Sequence, residues 1–266
     1  MEKKKEKLDM ILKELDSFVV AFSGGVDSSL LLYRAHALKT VKMIGITIRT
    51  PYIPDSEIEE SVVFARAYGI NHRVIDLSFP ESVRNNPAER CYICKKILFS
   101  GIVSFAVENG YRYVVEGTNA DDLSDYRPGL KALRELEIRS PLLEAGLTKK
   151  EIREWLREEG LSVWGKPAMA CLLTRIPYNT EVNEGMLRMI DQAEKFLTGK
   201  GYPGVRVRLH GDLARIECKP EYFEKIIRDP DRELIINNLK KIGFRYVSLD
   251  LEGYRMGSSN TEVRHL

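Results

Sequence analysis

The chain has 266 residues, 44% of them hydrophobic, so it can bury one large core or two modest ones. Its 41 Lys and Arg residues nearly balance its 39 Asp and Glu residues. The resulting formal net charge of +2 excludes a global field that would draw the chain to nucleic acid or a membrane surface. No apolar run approaches the roughly 18 residues that span a bilayer, and the charged, amphipathic start is unlike a signal peptide. We therefore expect a cytoplasmic protein.

Apolar periodicity predicts alternating helices and strands over the first part of the chain. The predicted strands are Ser17 to Phe22, Val41 to Ile48, His72 to Leu77 and Tyr113 to Glu116. The predicted helices are Lys3 to Leu15, Ser28 to Lys39, Asp55 to Tyr68, Ala88 to Asn109 and Thr148 to Glu159, the last of which starts with a capping-box pattern. This alternation is typical of an α/β fold, in which helices cover both faces of a parallel sheet.

A smaller α+β region follows the segment Pro177 to Asn183, where we place the domain boundary. The first domain is predicted to span residues 1–178 and the second residues 179–266. The predicted elements of the second are helices Val182 to Thr198 and Arg232 to Ile242, with strands Val205 to Leu209, Ala214 to Cys218 and Tyr246 to Leu249.

A glycine-rich loop joins the first strand of the sheet to the next helix. Its residues are Ser23, Gly24, Gly25, Val26, Asp27, Ser28 and Ser29. Backbone N–H groups, hydroxyls and a helix N-terminus together suit a pyrophosphate group, although a capped Gly-rich turn would look similar. Asp27 would repel a bare phosphate, which suggests a role through Mg²⁺. No lysine follows the glycines, so this is not the loop of P-loop NTPases.

A second polar loop follows the fourth predicted strand and contains Gly117, Asn119 and Asp122. Open α/β sheets bind ligands at the carboxyl ends of their strands, so we expect this loop to face the first one and complete a nucleotide site. The alternative is an Asn/Asp-rich turn that caps a helix.

Three of the four cysteines are candidates for metal binding. Cys91 and Cys94 stand three apart on a predicted helix and would share a face, and Cys171 is the candidate third ligand. A CxxC pair alone fits zinc, a redox dithiol or an iron–sulfur cluster, and a zinc site could take its fourth ligand from Cys218 or His72. We interpret Cys218 as a core thiol. Three thiolates on a [4Fe-4S] cluster would leave one iron able to bind an external sulfide.

Strand alternation places Arg206, Arg208 and His210 on one face of a strand in the second domain. A phosphate could bind to that cationic face. The alternative is a solvated edge strand whose arginines extend into water.

The sequence resembles the LarE family of PP-loop sulfur transferases, which build the nickel-pincer nucleotide cofactor. The matching strings cover nearly the whole chain: SGGVDSS, EGTNADDLSDYRPG, RSPLLEAGLTKKEIR, KPAMACLLTRIPY, VRVRLHG with ARIE, and GYRMGS. The resemblance implies a PP-loop ATP pyrophosphatase fold. It also implies that ATP adenylates a carboxylate of pyridinium-3,5-biscarboxylic acid mononucleotide, with pyrophosphate release, before sulfur replaces the activated oxygen.

A PP-loop tRNA thiolase is the alternative, although the basic stripe and additional RNA-binding module expected of one are not seen.

The resemblance also implies roles for individual residues. The catalytic residues would be Cys171 and Asp27, and the substrate-binding residues would be Asp125, Arg127, Thr174, Arg175, Arg206, Arg208 and Glu217. Lys95 is a further catalytic candidate from its position alone, because it lies one turn from Cys91 and could offset negative charge on the cluster or substrate; the alternative is an exposed lysine. Cys91, Cys94 and Cys171 would hold a [4Fe-4S] cluster that carries sulfide from a sulfur donor. In some family members only the position that matches Cys171 is a cysteine, and that cysteine gives up its own sulfur. Sulfur transfer from Cys171 itself therefore remains an alternative. The implied cofactors are ATP, Mg²⁺ and the cluster, and the implied assembly is a homo-oligomer that binds no nucleic acid.

Overall fold

The computed structural model describes residues 1–124, 129–167 and 170–255. Internal contacts divide the chain into two compact units. The first unit comprises Met1–Ser78 and Glu89–Met169, and the second comprises Phe79–Ala88 and Ala170–Leu266. The expected domains 1–178 and 179–266 remain a prediction, and the contact-based units differ from them by assigning residues 79–88 and 170–178 to the second unit.

The first unit contains a four-stranded parallel sheet in the order β3-β2-β1-β4. Its strands are β1 (Ser17–Ala21), β2 (Lys42–Arg49), β3 (His72–Asp76) and β4 (Tyr113–Val115). Its helices are α1 (Glu2–Leu15), α2 (Val26–Ala37), α3 (Asp55–Ala67), α4 (Arg90–Glu108), α5 (Gly129–Glu135), α6 (Pro141–Glu144) and α7 (Lys149–Glu158). The predicted α/β class with a parallel sheet is confirmed.

Helices cover both faces of this sheet, as the alternation in β1 requires. Phe18 and Val20 point into one hydrophobic cluster, which contains residues of α1, α2 and α7. Val19, between them, points into a second cluster with β2 and α4, including Ile46 and Ile102. Because successive strand residues face opposite sides, the two clusters lie on opposite faces of the sheet.

Helix α7 begins with a reciprocal cap that the sequence pattern predicts. The Thr148 hydroxyl accepts a hydrogen bond from the N–H of Glu151, and the Glu151 carboxylate accepts one from the N–H of Thr148. The short helices α5 and α6 were not among the predicted elements. Seven and four residues are too few to show a helical period, and Pro141 opens α6 at a position where its missing N–H costs nothing.

The second unit contains a three-stranded sheet in the order β5-β6-β7, antiparallel and then parallel. Its strands are β5 (Arg206–His210), β6 (Leu213–Glu217) and β7 (Tyr246–Leu249), and its helices are α8 (Glu184–Gly199), α9 (Phe223–Ile227) and α10 (Asp231–Ile242). Asn86 explains why residues 79–88 belong here. Its buried amide nitrogen lies 3.2, 2.9 and 2.9 Å from the carbonyl oxygens of Leu173, Ile176 and Pro177, so that its two N–H groups are shared among three acceptors.

Within the described residues, no helix is both long enough and apolar enough to traverse a lipid bilayer.

Candidate functional site

The predicted phosphate loop lies between β1 and α2 in the first unit. Gly24 has a φ of +70°, a backbone conformation that residues with a side chain rarely adopt. Gly25 is the N-cap of α2 and has an extended backbone. The Ser28 hydroxyl lies 3.0 Å from that of Ser23 and donates to the Gly25 carbonyl at 3.2 Å. The loop is therefore folded around its own hydroxyls at a helix N-terminus, where the first-turn N–H groups have no intrahelical acceptor.

Ser29 differs from the other two serines of the loop. It is fully buried, and its hydroxyl has no hydrogen-bond partner among the described residues. Its predicted contact with a nucleotide remains a prediction, as does that of Val26, which is also buried.

The loop after β4 lies against the phosphate loop, as expected from the sheet topology. A Cβ atom added to Gly117 would lie 2.9 Å from the backbone nitrogen of Ser28 and 3.2 Å from the carbonyl carbon of Asp27. Only glycine allows this approach without displacing backbone. Asn119 extends the contact, because its Nδ2 lies 3.4 Å from Asp27 Oδ1. The two loops therefore form one polar surface at the carboxyl end of the sheet.

Buried and partly buried hydrogen bonds fix the shape of the second loop. The Asp122 carboxylate accepts from the N–H of Asn119 at 3.0 Å, and the Asn119 side-chain oxygen accepts from the N–H of Asp121 at 3.0 Å. Glu116 closes the other side, accepting from the N–H of Thr118 and the hydroxyl of Ser140. Asp122 thus shapes the loop, and its contact with a nucleotide remains a prediction.

Two lysines that the sequence analysis did not single out contact the phosphate loop. Lys149, the first residue of α7, places Nζ 2.5 Å from Asp27 Oδ2. Lys166 donates to the Gly24 carbonyl at 3.0 Å and forms an ion pair with Glu60 of α3. The cations that the loop sequence lacks are therefore supplied by residues more than a hundred positions away.

Cys91 and Cys94 lie in the first turns of α4, on neighbouring positions of one helix face. Cys91 is exposed, and the Cys94 thiol donates to the hydroxyl of buried Tyr52 at 3.2 Å. The stem of half-buried Lys95 lies against α5, since a Cβ on Gly129 would fall 2.6 Å from Lys95 Cδ.

These residues fit the implied metals unequally. Mg²⁺ is commonly bound by one or two carboxylates together with substrate phosphates, and Asp27 at the mouth of the loop suits that role. For the [4Fe-4S] cluster, Cys91 and Cys94 have suitable spacing on α4. However, no three His, Cys, Asp or Glu side chains are grouped to hold a metal ion in the part of the chain that the structure describes.

The other two candidate metal ligands, His72 and Cys218, lie in surroundings typical of residues with a structural role. His72 Nε2 lies 2.8 Å from the Thr47 hydroxyl, and burial lowers the pKa of the imidazole. Cys218 is buried, and desolvation raises the pKa of its thiol to about 11, as expected for a core thiol.

Arg206 and Arg208 of β5 are buried in the second unit, not extended into solvent as the edge-strand alternative requires. Arg208 Nη2 lies 2.6 Å from Glu217 Oε2, and its Nη1 donates to the Thr174 carbonyl at 2.7 Å. The Arg206 guanidinium stacks over the Tyr254 ring at 5.3 Å, and burial together with the charge of Arg175 lowers its pKa. These side chains occupy a desolvated cationic cluster.

Glu194 of α8 is the main counterion of this cluster. It forms a two-bond ion pair with Arg175 and lies 3.9 Å from Arg206. Burial opposes the charge of Arg175, yet Glu194 raises the pKa of its guanidinium. The buried charged side chains described in this unit are three arginines (Arg175, Arg206 and Arg208) against two carboxylates (Glu194 and Glu217).

The same cluster fixes the backbone around Cys171. Arg175 Nη1 donates to the carbonyl of Ala170 at 2.8 Å and lies 3.3 Å from that of Cys171, while the Thr174 hydroxyl donates to the Cys171 carbonyl at 2.9 Å. Thr174 and Arg175 thus position Cys171, and direct contacts with substrate remain predictions for both. Asp125 and Arg127, the other predicted substrate ligands, lie outside the described residues.

Comparison with known proteins identifies the class first. Argininosuccinate synthase of Natronomonas pharaonis is 27% identical over 58% of this chain and 42% of its own length. One component of the glutamine-hydrolyzing GMP synthase of Thermoplasma acidophilum is 28% identical over 54% of this chain and 51% of its own length. With the parallel sheet and the loop after β1, these similarities fit a protein with a PP-loop fold. No protein-family model matches the chain.

Three relatives that match nearly the whole chain identify its family. An uncharacterized protein of Synechocystis is 38% identical over 98% of both chains. The pyridinium-3,5-bisthiocarboxylic acid mononucleotide synthase of Lactiplantibacillus plantarum is 36% identical over 97% of this chain and 94% of its own. An uncharacterized protein of Methanocaldococcus jannaschii is 36% identical over 95% of this chain and 98% of its own. The chain belongs to the LarE family, that of the mononucleotide synthase.

Proposed function

We propose that this protein is an ATP-dependent sulfur transferase that converts the carboxylates of pyridinium-3,5-biscarboxylic acid mononucleotide to thiocarboxylates. The observation that carries the proposal is the contact between the phosphate loop and the Gly117 loop, in a chain related over nearly its full length to a synthase of the bisthiocarboxylate product. That contact lies at the carboxyl ends of the parallel strands, where open α/β sheets bind ligands, and this position supports a nucleotide site there.

The chemistry that this site would support begins with adenylation. A substrate carboxylate oxygen attacks the α-phosphorus of ATP, the bond to the β-phosphate oxygen breaks, and pyrophosphate leaves. The loop N–H groups would stabilise the charge that develops on the pyrophosphate. Sulfide then attacks the activated acyl carbon and AMP departs with the carboxylate oxygen, which leaves a thiocarboxylate.

The buried arginines of the second unit would bind the substrate phosphate. Arg206 and Arg208 occupy adjacent same-face positions on β5, and both side chains are buried. A phosphate dianion suits such a desolvated, arginine-rich site because each guanidinium offers a planar pair of donors.

We further propose that Cys91, Cys94 and Cys171 bind a [4Fe-4S] cluster. When bound, the cluster would offer an iron position to which an exchangeable sulfide can attach. The spacing of Cys91 and Cys94 on α4 supports two of the three ligands. The anchored backbone of Cys171 would fix the position of the third thiol.

Pyrophosphate release tests the adenylation proposal. The purified protein is incubated with ATP, Mg²⁺ and either the biscarboxylate mononucleotide or nicotinic acid mononucleotide, which has a single carboxylate. We expect release that requires the biscarboxylate and is lost in Asp27→Asn. Release that is independent of any added carboxylate, or no release with either compound, would contradict the proposal.

Iron and sulfide analysis after anaerobic purification tests the source of sulfur, with Cys171→Ala beside Cys218→Ala as a matched control. We expect iron and sulfide in the wild type and in Cys218→Ala, and their loss in Cys171→Ala. An iron-free wild type that completes one transfer per chain, with dehydroalanine at position 171, would favour the sacrificial-cysteine version instead.

A further inference from the structure

Lys149 supplies a cation to a phosphate loop whose own sequence contains none. Its Nζ lies 2.5 Å from Asp27 Oδ2, and Asp27 lies in the first turn of α2 within the loop. The two residues are 122 positions apart in the chain. The ammonium is therefore held at the loop by the tertiary fold and not by the local sequence.

The backbone of Lys149 is fixed independently of this ion pair. Its N–H donates to Asp121 Oδ2 in the second loop at 2.8 Å. The reciprocal cap of Thr148 and Glu151 fixes the start of α7. Lys4 of α1 also binds the Glu151 carboxylate, at 2.7 Å. Consequently the side chain of Lys149 can change its partner while its Cα atom stays in place.

The ion pair itself is of the kind that exchanges readily. The side chains of Lys149 and Asp27 are 34% and 21% exposed, and ion pairs with this access to water hold together weakly. A polyphosphate in the loop would bring several negative charges next to the Asp27 carboxylate. The nearby ammonium would then gain more from phosphate oxygens than from the single carboxylate.

We propose that Lys149 is a polyphosphate-binding residue, whose ammonium moves from Asp27 to the pyrophosphate portion of the nucleotide when ATP binds. The inference rests on the proposed use of ATP and extends it by assigning a specific ligand to the leaving group. In the structure the Lys149 ammonium pairs with the Asp27 carboxylate. In the complex it offsets the charge that accumulates on the departing pyrophosphate.

Lys150 provides a matched control, because it follows Lys149 directly in α7 and its side chain is 84% exposed. Calorimetry would measure the affinities of wild type, Lys149→Met, Lys149→Arg and Lys150→Met for α,β-methylene-ATP, pyrophosphate and AMP. Lys149→Met should weaken binding of the analogue and of pyrophosphate about 10- to 100-fold, as expected for loss of a charge-assisted contact, and change AMP affinity less than about 3-fold. Lys149→Arg should recover part of the loss, and Lys150→Met should match the wild type.

Two results would overturn this assignment while leaving the proposed function intact. One is a wild type and a Lys149→Met variant that bind the analogue equally. The other is a Lys149→Met variant that loses AMP and analogue affinity by the same factor together with melting temperature, which is the behaviour of a purely structural ion pair. A wild type that binds neither the analogue nor pyrophosphate would overturn the proposed use of ATP, and the role of Lys149 with it.

Discussion

Arg175 and Glu194 form a two-bond ion pair in the interior of the second unit. Nε lies 2.9 Å from Oε1 and Nη2 lies 3.0 Å from Oε2, with the side chains only 1% and 10% exposed. Glu194 Oε1 also accepts from the backbone N–H of Val207 at 2.9 Å. This one carboxylate therefore joins helix α8, the turn that follows Cys171 and strand β5, which carries the two predicted phosphate ligands.

Removing the Glu194 charge should destabilise the protein strongly. Glu194→Gln leaves Arg175 buried without its counterion, and loss of one partner of a buried pair costs about 3 kcal/mol. Urea unfolding of Glu194→Gln beside Glu184→Gln measures the difference. Glu184 pairs with Arg188 on the exposed side of the same helix, and the two side chains are 56% and 67% exposed. The control substitution Glu184→Gln should therefore change the free energy of unfolding by less than about 0.5 kcal/mol. Equal losses in the two variants would contradict the counterion role.

Arg206 should matter for the phosphate of the substrate and not for its carboxylates. With pyrophosphate release as the assay, Arg206→Met should raise KM for the mononucleotide about 10- to 100-fold, the range for a lost charge-assisted contact. The same variant should barely change KM for the dephosphorylated nucleoside. Arg188→Met, at an exposed position of α8, is the control and should match the wild type. An equal KM increase for both substrates would show that Arg206 acts on the fold and not on the phosphate.

The cap of α7 should make stability depend on pH. Partial burial would raise the pKa of Glu151, but Lys4 and the N–H and hydroxyl of Thr148 outweigh it and lower the pKa from 4.5 to about 2. A carboxyl with a depressed folded pKa stabilises the protein above its unfolded pKa, and this contribution disappears as pH falls toward the folded value. Glu151→Gln should therefore cost about 1 kcal/mol at pH 7, allowing for solvent screening, and less than half of that at about pH 3.

Urea unfolding at the two pH values, with Glu158→Gln as control, checks this dependence. Glu158 lies on the same helix as Glu151 and pairs with Lys5 of α1. Its side chain is 58% exposed and takes no part in the cap. We expect the control to stay within about 0.5 kcal/mol of the wild type at pH 7. A cost of Glu151→Gln that is the same at both pH values would rule out the charged cap as its origin.

Local patterns predicted most of the first unit and could not predict its ion pairs. β2 is predicted at Val41 to Ile48 and lies at Lys42–Arg49, because β-branched isoleucines at every second position favour a strand. The start of α7 followed from its capping box. By contrast, the contact between Lys149 and Asp27 joins residues 122 positions apart, and nothing in either neighbourhood signals the other.

In the second unit, a signal for Glu194 was present in the sequence but is easily overlooked. The residue lies among Ile190, Ala193 and Leu197 on the buried face of α8, and a charged residue on such a face requires a buried partner. The alternation of Arg206 and Arg208 correctly predicted a shared face. Their burial depends on tertiary packing, which alternation does not report.

Burial distinguishes Cys218 from Cys91, the exposed candidate cluster ligand. Burial raises the pKa of Cys218 to about 11, whereas Cys91 is exposed on α4. Since the thiolate is the reactive form, iodoacetamide at about pH 8 should alkylate Cys91 and leave Cys218 unmodified until urea unfolds the chain. Peptide mass spectrometry after timed quenching gives both rates. Alkylation of Cys218 in the folded protein as fast as that of Cys91 would contradict the assignment of Cys218 to the core.

Gly117 should not tolerate even a methyl group. An added Cβ would lie 2.9 Å from Ser28 N and 3.2 Å from the backbone of Asp27, and main-chain atoms cannot rotate away as a side chain would. The two loops would have to separate, which costs about 1–3 kcal/mol of stability and displaces the N–H groups that face the nucleotide. Because catalytic and binding geometry is sensitive to shifts of about 1 Å, Gly117→Ala should weaken α,β-methylene-ATP binding at least about 10-fold.

Gly165→Ala is the matched control, because the same added atom would meet nothing within 4 Å in the same unit. Calorimetry with the ATP analogue and urea unfolding of both variants separate a local clash from a general effect of the substitution. The control should bind the analogue like the wild type. If Gly117→Ala also binds the analogue like the wild type, the close approach of the two loops is not what forms the nucleotide site, and the phosphate loop must then hold the nucleotide without the loop after β4.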